Sequence, residues 1–175
     1  YAHDGSLKRL EQTVTLFEHK FGAAGHEAQL AFYRAEIDRL SGRFQEAVDG
    51  YGRVLEEGGA LSAQAALGKG LALEKLGNGP AAEQALEDAL KLAGDDHRFS
   101  IQVRMQLGQM YLDSKNYKEA AKTFYAVAIL YDDAATVPAA LWGAGQAVEK
   151  AKDTEKAGQA YNELMERYPK HKLAR

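Results

Sequence analysis

The 175-residue chain contains no cysteine, which excludes disulfide scaffolds and thiolate zinc sites. It has no strong charge of either sign. The net charge of −3 and a pI near 6 give no electrostatic reason to expect a nucleic-acid partner. It has no window of eighteen or so uninterrupted apolar residues, the length a membrane span needs. Only three prolines occur, and most of the seventeen glycines fall between periodic stretches, a distribution that favours helices throughout. The apolar share of 46% is too high for a disordered chain, and the length allows one domain with a sizeable core. The chain opens at Tyr1 with no charged-then-apolar leader, so it reads as a processed product or a fragment of a longer chain.

Signals for chemistry are equally scarce. The histidines are His3, His19, His26, His97 and His171, and none forms the i,i+4 pair that puts two ligands on one helical face. Asp95 and Asp96 before His97 read as helix caps rather than metal ligands. No serine or lysine has a partner that would activate it. The run Gly77-Asn78-Gly79-Pro80-Ala81-Ala82 formally fits a dinucleotide-binding G-x-G-x-x-A, but a helical stretch precedes it and Pro80 removes one N–H. It is read as a hairpin turn. Lys170-His171-Lys172 is read as a solvated helix end, too weakly basic to hold nucleic acid or lipid. No enzymatic activity, metal or cofactor is expected.

What the chain does have is repetition. In four places a small residue is followed twelve positions later by alanine: Ala35/Ala47, Gly70/Ala82, Gly108/Ala120 and Gly145/Ala157. Four residues beyond each alanine stand Tyr51, Leu86, Phe124 and Tyr161, and three further on Val54, Ala89, Val127 and Leu164. This spacing predicts tandem helical hairpins, the small residues allowing close approach of paired helices and the large ones filling the seam. The four alanines lie 35, 38 and 37 residues apart, a period that predicts a solenoid.

Periodicity predicts a first helix at 6–21, with Leu7, Leu10, Val14, Phe17 and Phe21 on one stripe and Gly22 and Gly25 closing it. Hairpins follow at 26–57, 62–93, 97–131 and 137–167, within a single domain over 1–175. Their breaks fall at Ser41-Gly42, Gly77-Asn78-Gly79, just before Tyr117 and near Asp153. Ser62 is expected to cap the helix it begins, Pro80 to occupy a first helical position, and Asp153 to cap the last helix. Asn116 with Glu119 is expected to form a capping box.

These residues resemble the tetratricopeptide repeat, whose unit of 34 residues wants small residues at its crossings and aromatics between them. The third repeat matches best, through Leu107, Gly108, Tyr111, Tyr117, Ala120, Phe124 and Val127. The fourth offers Gly145, Val148, Ala157, Tyr161, Leu164 and Pro169. The second keeps Gly70, Leu73, Ala82, Leu86 and Ala89, with Gly79 where an aromatic is usual. In the first, Asp38 stands at an apolar position, and its neighbours Ile37 and Leu40 suggest a slipped register. The resemblance implies an all-α, right-handed α-solenoid of about four hairpins plus an extra N-terminal helix.

A narrower resemblance joins the phrase Ala160-Tyr161-Asn162-Glu163-Leu164-Met165-Glu166-Arg167-Tyr168-Pro169 to repeats of bacterial cell-envelope proteins, of the barrel-assembly-lipoprotein and Tol–Pal-associated types. It favours a bacterial source, and the periplasm or cell envelope slightly over the cytoplasm.

The resemblance further implies a non-catalytic scaffold or adaptor whose partner is a protein or peptide segment, bound in a concave groove lined by the first helix of each hairpin. Carried over by position, that groove holds Gln29, Phe32, Glu36 and Arg39 in the first repeat, and Gln64, Leu67, Leu71 and Glu74 in the second. The third gives Gln102, Met105, Gln109 and Leu112, and the fourth Ala139, Trp142, Gln146 and Glu149. Phe32, Leu67, Met105 and Trp142 would receive side chains while the amides bond to backbone. The Lys, Asn and Arg cluster by which some relatives hold a C-terminal carboxylate is missing. The rival expectation is a homo-oligomer assembled through the N-terminal helix or a terminal repeat, decided by whether Leu10, Val14 and Phe17 pack on the first hairpin or stay exposed.

Overall fold

A computed structural model describes the backbone of residues 2–174 and the side chains of residues 5–174. Its described residues form nine α-helices and one short 3-10 turn, with no strand. The chain divides into two compact units, residues 1–94 and 95–175.

The first unit holds α1 (Ala2–Phe21) and two hairpins. These are α2 (Glu27–Leu40) with α3 (Phe44–Glu57), and α4 (Ser62–Lys75) with α5 (Gly79–Leu92). Its core gathers Ala35, Ala47, Tyr51, Val54, Ala65 and Ala72. The hairpin crossings are closed by missing side chains. A Cβ on Gly50 would come within 2.8 Å of the Cβ of Ala35, and one on Gly70 within 2.8 Å of Leu86. A Cβ on Gly68 in α4 would drive into the Tyr51 ring, so Tyr51 is held between two successive hairpins.

The second unit repeats the design with α6 (His97–Asp113), α7 (Tyr117–Leu130), α8 (Val137–Lys150) and α9 (Thr154–Arg167). A Cβ on Gly108 would lie 2.7 Å from Phe124, and one on Gly143 would lie 2.9 Å from the other edge of the same ring. Phe124 therefore locks α6 to α8 while α7 carries it. Burial of such a ring contributes roughly 1.5–3 kcal/mol. The 3-10 turn Lys172–Ala174 returns the chain to Ala128, Val137, Leu141 and Leu164, where Leu173 and Ala174 pack.

The helix starts divide by chemistry. Asn78, Asp96 and Asp153 each accept a backbone N–H with their side chains, from Ala81, Phe99 and Lys156 at 3.3, 3.0 and 3.1 Å, relieving donors that a helix leaves unpaired. Pro80 sits in the first turn of α5. Two expected caps are corrected. Ser62 lies inside the first turn with Leu61 at the cap position, and its buried hydroxyl finds no partner among the described residues. Asn116 occupies the cap position without a side-chain bond, and the return arm of the box is absent too: its N–H is donated to Tyr111 O at 2.8 Å and Glu119 pairs with Lys122 at 3.3 Å.

The first repeat also keeps its register. Ala35 is buried against Gly50, where its counterparts Gly70, Gly108 and Gly145 lie against Leu86, Phe124 and Tyr161, and Asp38 is tolerated because Arg43 pairs with it at 2.7 Å across the turn. The turns differ between units. Gly42 and Gly77 take left-handed backbone with φ of 79° and 76° in the first, whereas Lys115 and Lys152 take it in the second, at 64° and 66°.

Helix α1 lies on α2. Val14 is buried, Leu10 and Phe17 are half-buried, the Phe17 ring meets His26 edge-on at 5.0 Å, and Arg34 forms an ion pair with Glu18. Leu10, Val14 and Phe17, whose burial or exposure decides between capping and self-association, thus pack on the first hairpin. Phe21, expected on the same stripe, touches the Phe17 ring at 5.1 Å but stays exposed at the helix end, and Leu16 is exposed on the other side of α1.

Candidate protein-binding surface

In the first unit the expected groove positions fall into three states. Gln29 and Gln64 are exposed. Leu67 is only 6% exposed and belongs to the core, so it offers a partner little surface, and Leu71 and Glu74 are half-buried. Phe32 packs partly on the core, its ring 5.9 Å from that of Tyr51.

Glu36 and Arg39 are committed to one another. The Arg39 Nη2 donates to Glu36 Oε2 at 2.7 Å, its Nε donates to the Tyr51 hydroxyl at 3.3 Å, and that hydroxyl donates to Glu36. Burial first, and the Glu36 carboxylate second, push the Tyr51 hydroxyl far above its ordinary value. The acid and the base expected to face a ligand thus satisfy each other around a buried phenol.

In the second unit Gln102 and Gln109 are exposed on α6, while Met105 is half-buried beside Ile101, Val127 and Ala140. Leu112, Ala139 and Gln146 are half-buried. Trp142 is 36% exposed on α8, a large ring left in water on a helix whose other apolar side chains are mostly buried. Glu149 is exposed at the same helix's end.

Tyr161 of α9 joins these last two. A side chain on Gly145 would collide with its ring, so the bare glycine lets the ring lie across α8. There it meets Trp142 with centroids 5.2 Å apart, and its hydroxyl donates to Glu149 Oε2 at 3.0 Å. Burial and then the Glu149 bond push this hydroxyl up to about 12. Tyr51 and Tyr161 are read from the sequence as seam fillers only. The signal for a second role is tyrosine rather than phenylalanine there, with a glutamate twelve or fifteen residues upstream.

A separate apolar groove of about 430 Å³ runs between α1 and α2, lined by Leu10, Val14, Phe17, Leu30 and Tyr33 among others. Among the described residues no three His, Asp or Glu side chains gather where they could hold a metal, and no helix is long and apolar enough to cross a membrane.

Two family models, both of the tetratricopeptide repeat, match residues 61–127 and 139–171, together more than half of the chain. A comparison with curated proteins found no match. Among solved structures the chain is similar to YrrB, described as a TPR protein with an unusual peptide-binding site. Identity is 20% and the TM-score 0.68, over 97% of this chain and 84% of that one. It is similar to MamA at 16% identity and a TM-score of 0.67, over 97% and 84% of the two chains. It is also similar to BtubC (BKLC) from P. vanneervenii at 17% and 0.73, over 93% and 73%. At these identities the likeness is one of fold.

Proposed function

We propose a function from one premise: the chain belongs to the tetratricopeptide repeat family. It acts as a non-catalytic interaction module that holds an extended segment of a partner protein. In the second unit the segment lies against α6 and α8, side-chain amides of Gln102, Gln109 and Gln146 meeting its backbone. The observation that carries this reading is Trp142. An aromatic ring left exposed beside Tyr161 is the type of anchor on which protein interfaces concentrate their binding energy. YrrB, similar in fold, is described as having a peptide-binding site, which supports the same class of function here. Placement in a bacterial cell envelope rests on the phrase at 160–169 alone.

The test is affinity capture from source-cell lysate with the intact chain and a Gln109→Ala/Trp142→Ala variant, alongside circular-dichroism melts of both. A partner lost with the variant at unchanged melting temperature is the expected result. Identical recovery by both proteins would overturn the reading.

A second reading is favoured by a specific observation. Phe21 stands exposed on α1 against Phe17, at the end of the apolar groove that α1 forms with α2, a surface suited to a second copy of the chain. Sedimentation at high concentration decides it, a monomer ruling out self-association.

A further inference from the structure

Trp142, Gly145, Gln146 and Glu149 follow one another at i, i+3, i+4 and i+7 on α8, so they share one face of the helix. Tyr161 fills the gap left by Gly145 and connects the two ends of that stripe. Its ring touches the indole, and its hydroxyl occupies Oε2 of Glu149. Glu149 Oε1 keeps its lone pairs, and no ion pair joins Glu149 to Lys150, Lys152 or any other described residue. The result is a carboxylate bonded to the hydroxyl of a tyrosine whose ring packs on the indole, with no ion pair to a cation among the described residues.

The first repeat shows what such an arrangement accepts. There a ring from the hairpin's first helix (Phe32), a tyrosine from its second (Tyr51) and a glutamate (Glu36) make the same kinds of contact. The chain itself supplies the fourth member, Arg39, whose guanidinium bonds to the carboxylate and to the phenol oxygen. In the fourth repeat the position that matches Arg39 is Glu149, and the position that matches Glu36 is Gln146. The substitution removes the internal base and leaves the negative charge. The amides Gln102, Gln109 and Gln146 are neutral, and Gln109 donates to Asp113 at 2.8 Å, so carboxylates, Glu149 beside the rings among them, set the sign of charge that this face prefers.

We propose that Trp142, Tyr161 and Glu149 form a subsite for a basic side chain, arginine ahead of lysine, of the partner segment. This rests on the reading of the second unit as a peptide-binding surface and names the chemistry of one residue of the ligand. The alkyl or guanidinium part lies on the indole face, where the ring quadrupole attracts a cation. The charge meets the free oxygen of Glu149, a charge-assisted contact stronger than a neutral one. Tyr161 is a positioning residue that fixes both the rotamer of Glu149 and the tilt of the indole.

Trp142 is the single tryptophan of the chain, so its indole N–H signal and its fluorescence report on this place alone. The intact chain is titrated with N-acetyl-argininamide, N-acetyl-lysinamide and the neutral N-acetyl-glutaminamide, following the indole signal. The expected result is a saturable shift with the arginine compound, weaker with lysine and absent with glutamine. Glu149→Gln weakens it on the order of 5- to 10-fold and 0.5 M salt does so comparably, as expected for one charge-assisted contact over an aromatic face. Glu155→Gln, an equal charge change outside the site, leaves it unaltered.

Equal response to the neutral compound, or affinity indifferent to Glu149→Gln, overturns the proposal. The two readings fail separately. A captured partner whose binding ignores Glu149→Gln keeps the peptide-binding surface and removes the basic subsite. A charge-selective response with no partner lost on Trp142→Ala keeps the subsite and removes the surface's proposed role.

Discussion

The first and fourth repeats place similar groups, a ring, a tyrosine and a glutamate, around the seam of a hairpin, and the two clusters end in different states. Tyr51 is fully buried between α2, α3 and α4, and its hydroxyl closes a network with Glu36 and Arg39. Tyr161 is half-buried between α8 and α9, and its partners Trp142 and Glu149 remain in water. The difference lies in the charged pair and in the neighbouring hairpin. The first repeat carries the pair Glu36 and Arg39 where the fourth carries Gln146 and Glu149, so only the first can neutralise its charge internally, and Gly68 of the following hairpin lets α4 press against Tyr51. Where charge and surface are satisfied within the fold, a repeat serves stability; where they are not, it is free to serve a partner.

The largest expected effect separates the two tyrosines. Tyr51→Ala empties a closed seam and should cost about 3–5 kcal/mol, the range of buried aromatic truncations, with Tyr161→Ala costing half of that or less. Urea denaturation of both variants measures it, and equal losses would mean that the two seams are packed alike.

Next come the glycines that admit these rings. Gly108→Ala forces a methyl group to within 2.7 Å of Phe124 and should lose about 1–3 kcal/mol by overpacking. Gly158 on α9 has nothing within 4 Å, so Gly158→Ala should gain about 0.5–1 kcal/mol from helix propensity alone. Two substitutions of the same kind are thus expected to have opposite signs in thermal melts, and the same sign for both would break the seam assignment.

The charge networks should differ by less. Arg39→Met leaves Glu36 bonded only to the Tyr51 hydroxyl and should cost about 1.5–3 kcal/mol, the scale of a hydrogen bond to a charged group. Glu149→Gln changes an exposed side chain and should stay within about 0.5 kcal/mol. A large loss from the second would show that Glu149 works for the fold rather than for a ligand.

A smaller gain is expected in a turn. Lys152 holds left-handed backbone at φ 66°, which disfavours any side chain, so Lys152→Gly should raise stability by up to about 1 kcal/mol. The equivalent turn of the first repeat already has Gly42.

The pH dependence is the finest discriminator. Because Tyr161 binds its proton more tightly folded than unfolded, its contribution is whole below about pH 10 and fades as pH climbs toward 12. The advantage of the native chain over Tyr161→Phe should therefore shrink across that window, and a difference that stays flat with pH would show that the Glu149 bond does not form.

Much of this was legible from spacing. Residues twelve apart that must both be small announce a helix crossing, and the large residue four further on announces what fills it. The helix limits at 44–57, 137–150 and 154–167 follow from that pattern. Caps were legible only where the side chain is aspartate; Asn78, read as part of a turn, also caps α5. Asn116 and Ser62 have the right identity, but the Asn116 N–H is already taken by Tyr111 O and Ser62 falls one place inside its helix. The left-handed lysines could not be read at all, since nothing in a lysine's identity marks positive φ.

The amino-acid order by itself determined that this chain is a series of helical hairpins, because steric size at fixed intervals acts through the 3.6-residue period of a helix and needs no knowledge of distant contacts. The tertiary structure alone decided which groove residues are available. Glu36 and Arg39 are equally polar in the sequence to Glu149 and Gln146, and Leu67 is as apolar as Trp142. Whether each is satisfied internally depends on a ring delivered from another helix: Tyr51 carries a hydroxyl to a pair already neutral, and Tyr161 carries one to a carboxylate with no base beside it. That is a fact of three-dimensional proximity between residues twelve to fifteen places apart, and charge is satisfied by neighbours in space.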